Sequence, residues 1–199
     1  MRSFIILYML LTSVGLKAQI TKRDSLIAIS KLEFEIGMPL KNKRYYDKTV
    51  QKKANGKLVI PNCSKVFIDD TTDDNFVEYE YVGDLDMELK YKVVKETWYN
   101  GETYHILSTK LNYQSVHLLG EPKLFGKLIV NCNTSETTDK QPIIEVWRIE
   151  NQNIKKIITI NLWKFSNDWI DVELLRISED RKIIFKDFNG KYWKLNFNL

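Results

Sequence analysis

His105 and His117 are the only two imidazoles in the chain. Each sits inside a run of apolar and β-branched residues that reads as a strand. The two runs, T-Y-H-I-L and S-V-H-L, are neighbours along the chain, so the rings can approach one another across a strand pair. Paired imidazoles could ligate a transition metal or exchange protons. The spacings that usually accompany such chemistry are missing: there is no Cys-x-x-Cys, no His-Glu-x-x-His, and no Asp/Asn loop ending in a bidentate Glu. The motif reading is therefore two strand histidines, with no metal and no cofactor. Nucleophile and phosphate signatures are equally lacking, with no Gly-x-Ser-x-Gly, no Ser-x-x-Lys set and no glycine-rich phosphate loop or dinucleotide fingerprint. Carboxylates are abundant, and a paired-acid enzyme leaves no short motif, so a carboxylate-based hydrolase such as a glycosidase stays open. The run Asp69-Asp70-Thr71-Thr72-Asp73-Asp74 offers hard oxygen donors suited to calcium. It lacks the glycine and spacing of a calcium loop and reads as a solvated turn.

Aromatic side chains are the other chemical resource, at twelve per cent of the chain. Strands favour them for burial, and most should be core. Trp98, Tyr99 and Tyr104 are the candidates for binding, because they flank the tip of a tight hairpin, where side chains project beyond the sheet and can stack on a sugar or anchor a protein. Cys63 and Cys132 are the only cysteines. An oxidising compartment would allow a bridge between them, closing a loop of about 70 residues and stabilising by about 4 kcal/mol in the chain-entropy model. Burial as two free thiols is the competing reading.

These residues must be positioned by strands. Residues 91–119 read as a β-meander centred on Asn100-Gly101, a pair that tolerates positive φ at both positions, as a type I′ turn requires. On that reading Trp98-Tyr99 and Thr103-Tyr104 pair. Asn189-Gly190 repeats the signal near the end of the chain, and Asn55-Gly56 marks a turn into the first β segment, 57–60. Further strands are expected at 64–69, 76–82, 88–99, 103–108, 114–119, 127–131, 143–149, 154–163, 169–177, 182–188 and 192–197. Alternation sets their faces. Val77, Tyr79 and Tyr81 lie opposite Glu78 and Glu80. Ile170, Val172 and Leu174 lie opposite Asp171 and Glu173, and Trp193, Leu195 and Phe197 opposite Lys194 and Asn196. A short helix is expected over 24–35, with Asp24 as cap, Leu26, Ile29 and Leu32 at helical spacing, and Gly37 and Pro39 as stops. Period-two alternation in L-E-F-E-I argues instead for a strand at 32–36.

The first 19 residues have the form of a secretory signal peptide, with Arg2, an apolar run from Phe4 to Leu11 and Ala18 before Gln19. The run is too short to span a bilayer. Export to the periplasm or the exterior is thus expected, with no membrane span left after cleavage. Loss of Arg2 and Lys17 would take two positive charges off the formal +4. Bulk charge then gives no reason to expect nucleic acid as a partner. Charge is segregated along the chain, basic from Lys41 to Lys57 and acidic from Asp69 to Glu88, as two solvated segments would be. The remainder divides into an arm and polar connector at 20–56 and one β domain at 57–199.

Three segments of this domain, 91–121, 125–163 and 169–199, each hold about three strands, the interval of propeller blades. Through YEYVGDLDMELKYKVV, the WYNGETYHIL hairpin, GEPKLFGKLIV and the Trp163 and Trp169 pair, residues 57–199 resemble small exported Gram-negative proteins with propeller-like β repeats. The resemblance implies antiparallel meanders in a partial propeller-like stack, since about three blades fall short of the four to eight of a closed ring. A two-sheet sandwich satisfies the same pattern. Together the readings favour an all-β, non-catalytic exported binding module whose partner is a protein or a glycan.

Overall fold

The computed structural model describes residues 25–36, 53–61, 63, 65–85, 91–108, 115–133, 142–150, 153–166, 170–178, 180 and 182–196. They form antiparallel β-structure with one short α-helix, as expected. A two-stranded ribbon, β2 (Lys57–Val59) and β3 (Val66–Ile68), precedes three four-stranded sheets. The first sheet is a meander of β4 (Val77–Asp84), β5 (Lys92–Trp98), β6 (Gly101–Leu107) and β7 (Ser115–Leu118). The second is a meander of β8 (Lys123–Phe125), β9 (Leu128–Cys132), β10 (Ile143–Glu150) and β11 (Asn153–Asn161). The third runs β12 (Val172–Ile177), β13 (Ile183–Asp187), β14 (Tyr192–Asn196), and takes β1 (Ser25–Ile29) as its fourth strand beside β14. Among the described residues no helix is long and apolar enough to cross a membrane.

Period-two alternation explains how the sheets stack. In β9, Ile129 and Val130 point to opposite faces. Val130, with Ile144, Val146 and Ile160, packs on Val172, Leu175, Phe185 and Leu195 of the third sheet. Ile129, with Ile149 and Ile154, packs on Val93, Tyr104, Ile106, Val116 and Leu118 of the first. The second sheet is thus apolar on both sides and lies between the other two. The far side of the first sheet carries Val94 and Leu107, which are covered by Leu58, Ile60 and Phe67 of the ribbon and the residue following it. Each fully buried aliphatic or phenyl side chain in these layers contributes about 1.5–3 kcal/mol.

Several local expectations are corrected. The helix expected over 24–35 is a strand followed by a helix: Ser25–Ile29 pairs with Tyr192–Asn196, and the helix, α1, is Lys31–Ile36. Ladder pairing with a strand far along the chain outweighs the helical spacing of Leu26 and Ile29. Ser30 starts α1, its Oγ accepting from the Glu33 amide at 3.1 Å, and Phe34 is its buried residue. The 98–101 turn has Tyr99 and Asn100, not Asn100 and Gly101, at its centre, because Trp98 pairs with Gly101, and neither central residue has positive φ. It is not a type I′ turn. Asn55 and Gly56 do have that geometry, at φ 50 and 70, between mutually hydrogen-bonded Ala54 and Lys57. At 188–190 only Gly190 has positive φ, 78, and its amide donates to Asp187, giving a three-residue loop with a glycine bulge. Leu174 is exposed and Leu175 buried, because a bulge between Val172 and Leu174 resets the alternation. Strand β8 was not expected from the sequence. Trp169 and Phe197 lie outside the described residues.

Candidate functional site

The outer face of the first sheet gathers side chains from all four of its strands. Tyr81 pairs with Val94, Val94 with His105, and His105 with His117, so these four form one row across the sheet. The row beside it contains Tyr79, Glu96 and Thr103. Residues diagonal to one another in adjacent strands are within reach of long side chains. Here the diagonals close: His105 Nε2 lies 2.5 Å from Glu96 Oε2, and His117 Nε2 lies 2.9 Å from Thr103 Oγ1. The two imidazole centroids are 5.0 Å apart. Glu96, His105 and His117, on β5, β6 and β7, each bring a donor atom within 4.8 Å of the others.

The ribbon roofs the inner end of this cluster. Phe67 is buried and stands 5.4 Å from the His105 ring, with Tyr79 5.0 Å from Phe67 on the same side. Asp69, just after β3, holds the roof in place. Its carboxylate accepts from the Tyr79 amide at 2.9 Å and pairs with Lys53 Nζ at 2.5 Å, while its own amide donates to Gly56. Asp70 accepts from the Thr72 amide and hydroxyl, closing the acidic turn on itself. That turn is built from internal hydrogen bonds.

Burial pushes the His105 imidazole below its ordinary pKa, the Glu96 contact opposes that shift, and the neighbouring Lys65 and His117 add to it. Burial, with the carboxylates Glu96 and Asp69, pushes the Tyr79 phenol up. The outcome is a dry inner wall at His105 and an open side at His117, which is exposed. Two imidazoles and a carboxylate presented by adjacent strands have the donor set of a transition-metal site.

The residues put forward for binding are divided between two faces. Trp98 is half-buried, and Tyr99 at the turn is 62 % exposed and 5.1 Å from Phe76. Tyr104 is only 5 % exposed, packs against the second sheet and donates its hydroxyl to Glu102, so it belongs to the core and not to a binding platform. Of the two readings of Cys63 and Cys132, the structure has the free thiols. Cys63 packs with the ribbon cluster and Cys132 with the cluster between the second and third sheets.

A cavity of about 220 Å³ lies where the three sheets converge, lined in part by Glu102, Glu121, Lys123 and Glu173. Glu102 accepts from Tyr104 and lies 3.8 Å from Lys95, and Glu173 accepts from Lys186 at 2.5 Å. These acids are engaged by neighbours.

No family model matches the chain, and no curated protein or solved structure matches it either.

Of the outer-face cluster, motif reasoning found the two histidines and their pairing but not Glu96. The signal was parity. Moving the hairpin register by two residues, from the expected turn to the observed one, leaves Glu96 and His105 on the same face. Motif searches within one strand cannot see a set that takes one residue from each of three.

Proposed function

We propose that the protein is an exported, non-catalytic binding module that engages a protein or glycan through the end of the β5–β6 hairpin. The observation that carries this is Tyr99, a large aromatic side chain 62 % exposed at a tight turn, backed by Phe76 at 5.1 Å and flanked by half-buried Trp98. An aromatic ring supported from behind loses little conformational freedom when it stacks on a sugar or enters a partner's pocket. The signal-like N-terminus and the propeller-like strand pattern support an extracytoplasmic setting. The carboxylate-hydrolase alternative draws less support from the geometry, because Glu102 and Glu173 in the inter-sheet cavity are held by Tyr104, Lys95 and Lys186.

Replacing Tyr99 with alanine tests the reading. Tyr99 contributes little to the core, so stability should change by no more than about 0.5 kcal/mol. Binding to glycan arrays or to fractionated envelope proteins should fall at least tenfold. Unchanged binding in Tyr99→Ala and Trp98→Ala alike would overturn the assignment, and a response confined to one of the two probe sets identifies the partner class.

A further inference from the structure

We propose that Glu96, His105 and His117 form a binding site for one divalent transition-metal ion of the zinc, cobalt or iron(II) class. The site shares no residue with the hairpin end and stands independently of the reading above.

Three features carry it. The first is convergence: one nitrogen or oxygen donor from each of three adjacent strands lies within 4.8 Å of the other two, and Glu96 Oε2 and His105 Nε2 already meet at 2.5 Å. Donors bonded at about 2.0–2.1 Å to a tetrahedral ion sit roughly 3.3 Å apart. Closing the set around an ion therefore requires side-chain rotations of about an ångström, while the strand ladder stays as it is. The second is donor chemistry. Two imidazoles and one carboxylate suit zinc, cobalt or iron(II), whereas calcium and magnesium demand a shell of oxygens. One formal negative charge from Glu96 offsets half the charge of the ion. Lys65 works against a cation, but it is exposed, with its ammonium drawn 4.6 Å over the Phe67 ring, so solvent screens it.

The third is support around the donors. Thr103, 3 % exposed, sets its hydroxyl 2.9 Å from His117 Nε2 and orients that ring, which leaves Nδ1 as the nitrogen His117 would offer the ion, the arrangement by which outer groups fix a ligating imidazole. Phe67 and Tyr79 wall off His105. His117 is exposed, so the ion enters from solvent on that side. Three protein ligands leave a further position for water or for an anionic or nitrogenous ligand.

The test is a cobalt(II) titration of the full chain without a polyhistidine tag, followed by absorption and competed with zinc(II). One equivalent should bind with the visible bands of a low-symmetry site, and zinc should displace it. Because the chain has only two histidines, proton NMR gives a second measurement that needs no variant: both imidazoles should shift together as cobalt(II) is added. His117→Ala and Glu96→Gln should each weaken binding at least tenfold, and Thr103→Val by about tenfold through loss of ring positioning. Circular dichroism separates these losses from unfolding. Absence of one-to-one binding by the unaltered protein, a shift of only one imidazole, or unchanged affinity in both His117→Ala and Glu96→Gln would overturn the site.

Discussion

Cys132 shows how a side chain's surroundings decide chemistry that its identity leaves open. Burial pushes its thiol up to about 12, and burial raises Cys63 as well, with Lys92 opposing the shift. A thiolate is the reactive form, so neither cysteine is poised to attack a disulfide or an electrophile near neutral pH. With both thiols free and placed in separate apolar clusters, the expected outcome is quantitative. The denatured, unreduced protein should titrate two thiols, and the native protein should label far more slowly at pH 8, Cys132 slowest. Fewer than two thiols after denaturation would contradict the structure. The same dependence on surroundings limited what could be read at Tyr104 and Glu96. Tyr104 flanks the hairpin tip in the sequence, but the odd–even parity of β6 sends it to the buried face. Parity was legible. Which face would be covered by another sheet was not, because that depends on layers that no local pattern encodes.

At the scale of elements, alternation identified most strands, and turn chemistry identified the hairpins but not their registers. Asn100-Gly101 is a strong turn signal, yet the observed loop is one residue earlier, since the Trp98–Gly101 pair extends the ladder to the end of the apolar run. The N-terminal segment is the clearest failure of local reading. Leu26, Ile29 and Leu32 have helical spacing, and a helix built on them would bury all three. In the structure Leu32 is 67 % exposed and Phe34, which lay off that stripe, is 3 % exposed, its ring tilted against Tyr192 at 5.0 Å with the Arg176 guanidinium 4.6 Å from its ring. The two arrangements make opposite predictions. Phe34→Ala should cost about 3–4 kcal/mol by opening a cavity against Tyr192, whereas Leu32→Ala should change stability by less than about 0.5 kcal/mol. Urea unfolding of the two variants decides the matter. A larger loss for Leu32→Ala would restore the helix expected from the sequence.

At the scale of the molecule, the succession of strand-rich segments foreshadowed three stacked sheets, and the closing of the last sheet by β1 did not show in the sequence because its partner lies far along the chain, Ser25 pairing with Asn196 and Ile29 with Tyr192. The stacking itself depends on close approaches between sheets, and Gly120 marks one. It lies between β7 of the first sheet and β8 of the second, against the end of β9. A Cβ at Gly120 would fall 2.0 Å from the Cys132 carbonyl oxygen, 2.5 Å from its carbon and 3.0 Å from the Asn133 nitrogen. All three are backbone atoms, so no side-chain rotation relieves the clash. Either β9 or the β7–β8 connection must move, and β9 is held on its other edge by β10. Gly120→Ala should therefore destabilise by about 1–3 kcal/mol or more, as overpacking of a tight contact does. Gly126 provides the contrast. Its φ of +58 disfavours any side chain, but a Cβ there meets nothing within 4 Å, so Gly126→Ala should cost only the backbone term, about 1 kcal/mol. Because the Gly120 clash lies between sheets, its effect should also spread: hydrogen exchange should accelerate in both β7 and β9, while for Gly126→Ala it should stay confined to the β8–β9 turn. Equal and local effects in the two variants would mean that the first and second sheets do not meet at Cys132 as described.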